Sequence, residues 1–336
     1  MDARLPGLHP DRLLRLVRRA IAECDLDLGG ATVLTEAATG AYVVTPVAAA
    51  LAGADHVFAL SRATRYGSVA DVTELTHDLA TRAGVADRIE IVTEKTERVV
   101  GSADIITNSG HLRPLDAETI GWMRSDAVVP LMFEAWELDA GRIDVDVDAL
   151  RARGILTAGT NERNPAVDVF SYLGPMAVKQ LNDAGVAVRH SRILVLCDNP
   201  FAGFLHTGLR SAGARVEEAS MPPDTYAPDL DAVVVALRPT GSTVFGAADA
   251  RRLAEAAPGA VVTQFWGDVA RDEVAAAGVP CWPVSAPGAG HMGVLPSALG
   301  PEPIVRLQTG GLKVGAVLRT AVPDRTPADL AFLDEL

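Results

Sequence analysis

The sequence predicts an α/β protein with parallel sheets in two domains, and three observations carry this. Short runs of branched apolar residues alternate with alanine- and leucine-rich stretches along the whole chain, a strand-then-helix rhythm. An order of features found in the first half returns in the second. Finally, 336 residues at 49% hydrophobic and 22% charged exceed what one core usually serves.

In chain order, residues 1–29 read as an N-terminal helical segment around the basic run Leu13–Ile21. Residues 30–164 form a first domain with strands expected at Thr32–Leu34, His56–Leu60, Ile89–Val92, Ala103–Thr107, Ala127–Leu131 and Ile155–Ala158. Helices are expected between them, at Val44–Ala52, Val69–Ala83 and Ala117–Arg124. Residues 165–189 contain a joining helix, Pro165–Ala184. A second domain, 190–318, has strands at Arg192–Leu196, Arg215–Ala219, Ala232–Leu237, Ala260–Gln264 and Pro280–Val284, with helices at Phe201–Ala212 and Ala247–Ala257. Residues 319–336 are a C-terminal tail.

The repeat is specific. Gly30–Leu60 and Ser191–Ala219 each run strand, small-residue turn, helix, bend and strand, with bends at Ala52-Gly53-Ala54 and Ala212-Gly213-Ala214. Further on, Leu112-Arg113-Pro114 matches Leu237-Arg238-Pro239, and Ala127-Val128-Val129 matches Ala260-Val261-Val262. The reading is two Rossmann-like domains related by an internal repeat. Open parallel sheets bind ligands outside the carboxyl ends of their strands, so functional residues are expected just after strands, facing a cleft between the lobes.

Forty-three acids against thirty bases give a formal charge of −13. Such a surface repels phosphate backbones and anionic headgroups, which argues against nucleic acid and membrane partners. No apolar run approaches the ~20 residues that span a bilayer. Three cysteines without a paired framework fit a reducing, cytoplasmic setting. No His/Cys/Asp/Glu cluster has metal-ligand spacing, so no metal is expected.

The post-strand turns supply the candidates. His291 lies in the glycine-rich Pro287–Gly293 loop, and imidazole changes charge near neutral pH. His111 and Arg113 share the segment 108–114 with Asn108. Glu134 follows a strand beside Trp136, where desolvation could make a base of a carboxylate. Arg113 and Arg238, related by the repeat, suit a substrate carboxylate, with Asn108 beside it. Thr39 and Gly40 form a small-residue turn before a helix, and Arg62 and Arg65 follow the second strand, where they could pair with a nucleotide phosphate. In the second half, Cys197, Asn199 and Ala202 stand where a dinucleotide-binding turn places its glycines, so its phosphate loop is altered.

From Ile155 to about His291 the chain resembles the D-2-hydroxyacid (formate/glycerate) dehydrogenase family, in the order of the joining helix, the strand and turn at Ile193–Ala202, Leu237-Arg238-Pro239-Thr240, the Ala260-Val261-Val262 strand and His291. The resemblance implies two Rossmann-like domains, NAD or NADP, and an arginine, a glutamate and a histidine that orient and protonate a 2-oxo acid. His291 would stand for the family's histidine. Trp266-Gly267 occupies the place of its arginine after the Ala-Val-Val strand.

The first expectation is therefore an NAD(P)-linked oxidoreductase acting on a small polar, carboxylate-bearing substrate, as a homodimer. Two alternatives stay open: an S-adenosylmethionine-dependent methyltransferase using the first half's turn, and a non-catalytic ligand-binding protein on a dehydrogenase-like scaffold.

Overall fold

A computed structural model describes residues 5–139 and 144–336. It divides the chain into two units, 1–169 with 300–336, and 170–299.

The first unit begins with α1 (Pro10–Glu23) and runs β1 (Thr32–Glu36), α2 (Val44–Leu51), β2 (His56–Leu60), α3 (Val69–Ala83), β3 (Ile89–Val92), α4 (Glu97–Ser102), β4 (Ile105–Ile106), α5 (Ala117–Trp122), β5 (Val128–Pro130), α6 (Trp136–Asp139), α7 (Val147–Ala152) and β6 (Leu156–Thr160). The second unit contributes α8 (Leu173–Asp183), β7 (Arg192–Leu196), α9 (Ala202–Ser211), β8 (Arg215–Ala219), β9 (Ala232–Ala236), α10 (Ala247–Ala256), β10 (Val261–Trp266), α11 (Arg271–Ala276) and β11 (Cys281–Trp282). The chain then returns to the first unit with α12 (Glu302–Arg319), α13 (Pro327–Leu330) and β12 (Leu333–Asp334).

The first sheet has the order β12-β6-β5-β4-β1-β2-β3, parallel except for the β12 edge, and the second the order β11-β10-β9-β7-β8. Setting aside the α3–β3 excursion and the antiparallel β12 edge, the orders coincide strand for strand, so the repeat legible in the sequence is a repeat of topology. It extends to single bonds. Asp104 before β4 accepts the Thr32 N–H at 2.7 Å, and Asp231 before β9 accepts the Arg192 N–H at 2.7 Å. Both carboxylates tie the strand that opens each half to the next core strand.

Both sheets are buried on their inner strands, which is why these read as continuous apolar runs. One core of the first unit joins α1, α2 and α12 to the sheet around Val33, Val47 and Ile105; a second lies around Ile106, Leu131 and Phe133. In the second unit Val233, Val235, Phe245 and Leu253 form a core with Leu196 and Val262. Helix ends follow local chemistry: Ser68 and Asp71 close a capping box at the start of α3, and Gly84 ends it in the left-handed region at φ +78°.

Three sequence expectations shift. The boundary expected at 318/319 moves to about 299/300, because α12 packs against β5, β6, α1 and α2 of the first unit. The joining helix starts at Leu173 rather than Pro165 and belongs to the second unit. Asn164 turns its Oδ1 to the Ala166 N–H at 2.9 Å, and Asp168 takes φ +45°, so the chain bends there instead of coiling. The C-terminal tail is in part structured, since β12 pairs with β6.

Candidate functional site

In the first sheet the chain moves outward from β1 to β3 and then returns past β1 to β4. The connections after β1 and β4 thus leave in opposite directions and open a crevice at their carboxyl ends. Three hydroxyls floor it. Thr107 bonds Thr35 at 2.9 Å, and Ser109 lies 2.7 Å from Thr107 and 3.2 Å from Thr35, all buried. A closed ring of three hydroxyls uses one proton from each, so Ser109 is engaged as structure rather than poised as a nucleophile.

Above this ring the segment 108–114 is held from several sides. Asn108 accepts the Met132 N–H at 2.7 Å, bridging to the end of β5. Arg113 Nε donates to the Asn108 carbonyl at 2.5 Å and faces Asp144 at 2.8 Å. Lys95 Nζ donates to the carbonyls of Leu112 (3.2 Å) and Pro114 (2.6 Å). Glu36, the last residue of β1, accepts the His111 N–H at 3.3 Å. Burial pushes the Glu36 carboxyl up to about 7, against the Arg113 charge and the His111 N–H, which favour ionisation. The half-buried His111 imidazole is held below its ordinary value by desolvation and by the neighbouring Arg62. Arg62 and Lys95 also line a pocket of about 410 Å³ with Thr93, Glu94, Asp116 and Trp122.

The expected phosphate turn is partly assembled. Gly40 takes φ +66°, and a Cβ on Gly67 would stand 2.8 Å from the Thr39 methyl, so the turns after β1 and β2 pack together. The helical segment from Gly40 starts without a side-chain cap. Arg62 stands by His111, whereas Arg65 lies over the ring of exposed Tyr66, 4.7 Å from its centroid. Glu134 is buried, and its oxygens are engaged by Trp136 Nε1 (2.8 Å), Arg163 Nε (3.0 Å) and the Glu162 N–H (3.2 Å). Burial raises its pKa against these partners, yet the arrangement is a clamp between the ends of β5 and β6.

In the second sheet the equivalent crevice lies after β7 and β9. Asn199 closes it: Oδ1 accepts the Phe201 N–H at 3.1 Å and Nδ2 donates to the Ala236 carbonyl at 2.6 Å. The amide that would face a pyrophosphate is thus satisfied within the turn, in line with the altered loop read from the sequence. Asp198 accepts the Arg238 N–H at 2.9 Å. The His291 loop is pinned beside it, with Trp266 Nε1 donating to the Gly290 carbonyl at 3.0 Å and the Gly290 N–H donating to Asp268 at 3.0 Å. A Cβ on Gly290 would lie 3.9 Å from Pro239, so the loops of Arg238 and His291 adjoin. His291 itself is exposed. Burial pushes the Cys197 thiol up to about 11, which removes it as a nucleophile.

The structure therefore gathers Asn108, His111 and Arg113 with Arg62 in one unit, and Arg238 with His291 in the other. Arg65 and Glu134 stand apart from these groups. Sequence reasoning assigned no role to Glu36, whose signal was a carboxylate ending a buried strand. Among the described residues no group of three His, Cys, Asp or Glu could hold a metal ion, and no helix is long and apolar enough to cross a membrane.

These features define an α/β protein of two parallel-sheet, Rossmann-like units with polar residues gathered at strand carboxyl ends. No protein-family model matches the sequence, and no curated protein matches it. Among solved structures it is similar to a dipicolinate synthase from Bacillus halodurans, at 12% identity and TM-score 0.52 over 84% of this chain and 96% of that one. It is likewise similar to a dipicolinate synthase from Bacillus subtilis, at 9% identity and TM-score 0.53 over 85% and 95%. A structure of NAD-dependent formate dehydrogenase from Staphylococcus aureus in complex with NAD aligns at 12% identity and TM-score 0.43 over 82% and 92%. What the two dipicolinate synthase likenesses establish is a shared fold.

Proposed function

We propose that this protein is an NAD(P)-dependent oxidoreductase acting on a compact, carboxylate-bearing small molecule. The observation that carries the reading is the likeness to the two dipicolinate synthases, over 84% and 85% of this chain and 96% and 95% of theirs, joined to an Arg-Pro turn at equivalent strand ends of each sheet. Dipicolinate is a dicarboxylate, and guanidinium groups recognise carboxylates bidentately, so Arg113 or Arg238 is the group to hold such a substrate.

Of the two phosphate turns, the first unit's fits a nucleotide better. Ala37, Ala38, Thr39, Gly40 and Ala41 present no large side chain, whereas Asn199 fills the second. Thr39, Gly40 and Arg62 would hold the cofactor, which when bound supplies hydride acceptance or donation. His291, exposed on a pinned loop beside Arg238, would carry the proton, with His111 doing so if the substrate sits at the first sheet. Methyl transfer and a non-catalytic binding role are not favoured by any of these likenesses. The homodimer remains part of the proposal, to be read by sedimentation.

Thermal shift with NADH, NADPH and S-adenosylmethionine tests the reading. A nicotinamide cofactor at 100 times its dissociation constant should stabilise the protein by about 2.7 kcal/mol, and 2-oxo acids should then consume reduced cofactor. Stabilisation by S-adenosylmethionine alone, or by none of the three, overturns it.

A further inference from the structure

Glu36 has no role in the reading above, yet it is a buried ionisable group at the first sheet's crevice. Its residue is 4% exposed, and its carboxyl lies directly under the Gly110–His111 peptide. A Cβ on Gly110 would stand 1.6 Å from Oε2 and 3.0 Å from Oε1, so position 110 admits only glycine while the carboxyl is there, and Gly110 also takes φ +30°. The second unit repeats the device. Asp198, just beyond the end of β7, accepts the backbone N–H of Arg238, as Glu36 just before the β1 turn accepts that of His111. In both halves an acid at or just beyond the end of the opening strand bonds a backbone N–H of the segment that carries the Arg-Pro pair.

We propose that Glu36 is a positioning residue: a proton-sensitive latch that sets where the His111 imidazole and the Arg113 guanidinium stand at the first unit's crevice. The inference rests on the functional reading only in taking segment 108–113 as ligand-holding. Arg113 faces the Glu36 carboxyl from the turn after β4, itself paired with Asp144. His111 faces it through its N–H, with Arg62 from the turn after β2 acting on the imidazole. Lys95, after β3, grips the same turn by two carbonyls. The hydroxyl ring of Thr35, Thr107 and Ser109 lies beneath. Burial pushes the carboxyl up to about 7, whereas desolvation and Arg62 hold the His111 imidazole below its ordinary value, so gain or loss of the carboxyl proton is a step distinct from the imidazole's own.

The test is a pH titration of the His111 Cε1–H resonance by NMR in the full chain, assigned by loss of the signal in His111→Gln. In the unsubstituted protein the signal should move in two steps, its own and a second near pH 7. Glu36→Gln keeps the volume and an acceptor for the His111 N–H, and should leave one step with the thermal midpoint undiminished. Gly110→Ala, which forces the carboxyl aside, should also remove the second step. Superposable titration curves for the unsubstituted protein and Glu36→Gln overturn the latch, as does a second step that survives in Glu36→Gln. Adding NADH or NADPH separates the two ideas. Failure of either nucleotide to bind with the two-step curve intact sinks the functional reading and supports the latch; binding with superposable curves sinks the latch alone.

Discussion

A Cβ placed on Gly208 would stand 2.3 Å from the Cα of Gly174, so α8 and α9 touch backbone to backbone in the second unit. Neither position tolerates a side chain without separating the helices. Gly208→Ala should lower stability by about 2 kcal/mol through overpacking, read as a lower urea midpoint at unchanged slope. A midpoint equal to that of the unsubstituted protein would show that the helices move apart without cost.

Lys313, buried in α12, donates to the Asp25 carbonyl at 3.0 Å and pairs with Asp329 at 2.8 Å, tying α13 to α12 and to the turn after α1. The Lys313 ammonium and the Thr326 hydroxyl hold the Asp329 carboxyl down at about 2. A depressed carboxyl stabilises the folded state above its unfolded value, and that contribution is lost as pH falls through about 2. Allowing for solvent screening it amounts to about 1 kcal/mol. Asp329→Asn should show a smaller loss of stability between about pH 5 and about pH 2 than the unsubstituted protein, measured by thermal melts.

Glu36 has the opposite sign. Its folded value is raised, so the folded state binds the extra proton, and ionisation costs stability progressively from about pH 4.5 up through about 7. Below that window the penalty is absent. Glu36→Gln should therefore gain relative to the unsubstituted protein as pH rises, by up to about 3 kcal/mol at pH 8 and nothing near pH 4. A stability difference independent of pH would contradict the raised value.

The His291 loop depends on Gly293, whose N–H donates to the Phe265 carbonyl at 2.9 Å and where a Cβ would meet the Gln264 carbonyl oxygen at 1.8 Å. Gly293→Ala should cost about 2 kcal/mol and displace the loop. His291→Ala, at an exposed position, should leave stability within about 0.5 kcal/mol and lower turnover about 100-fold once a substrate is in hand. Unchanged turnover in His291→Ala would transfer the proton role to His111, for which His111→Gln is the matching measurement.

Much of the fold was legible because parallel strands buried on both faces announce themselves as branched apolar runs. His56–Leu60 and Arg192–Leu196 are read to the residue. The helix α12 was not, since Gly310, Gly311 and Gly315 weaken any helical reading of its sequence. Those glycines are there because the helix lies close on the sheet: a Cβ on Gly311 would meet Met132 at 2.1 Å and one on Gly315 would meet Ile105 at 2.8 Å. At the site, His111, Arg113 and Asn108 were found because they are neighbours in sequence. Glu36 was missed because its partner lies 75 residues away.

By itself the sequence determined the alternation of strands and helices, the doubled order of features and the turns in which polar groups cluster, since each is written in residues close together along the chain. Tertiary structure alone decided that α12 returns to the first sheet, that Asn199 fills one crevice, and that a buried acid underlies the other. These depend on which backbone atoms come within bonding distance after the sheets form, and local sequence carries no record of that distance.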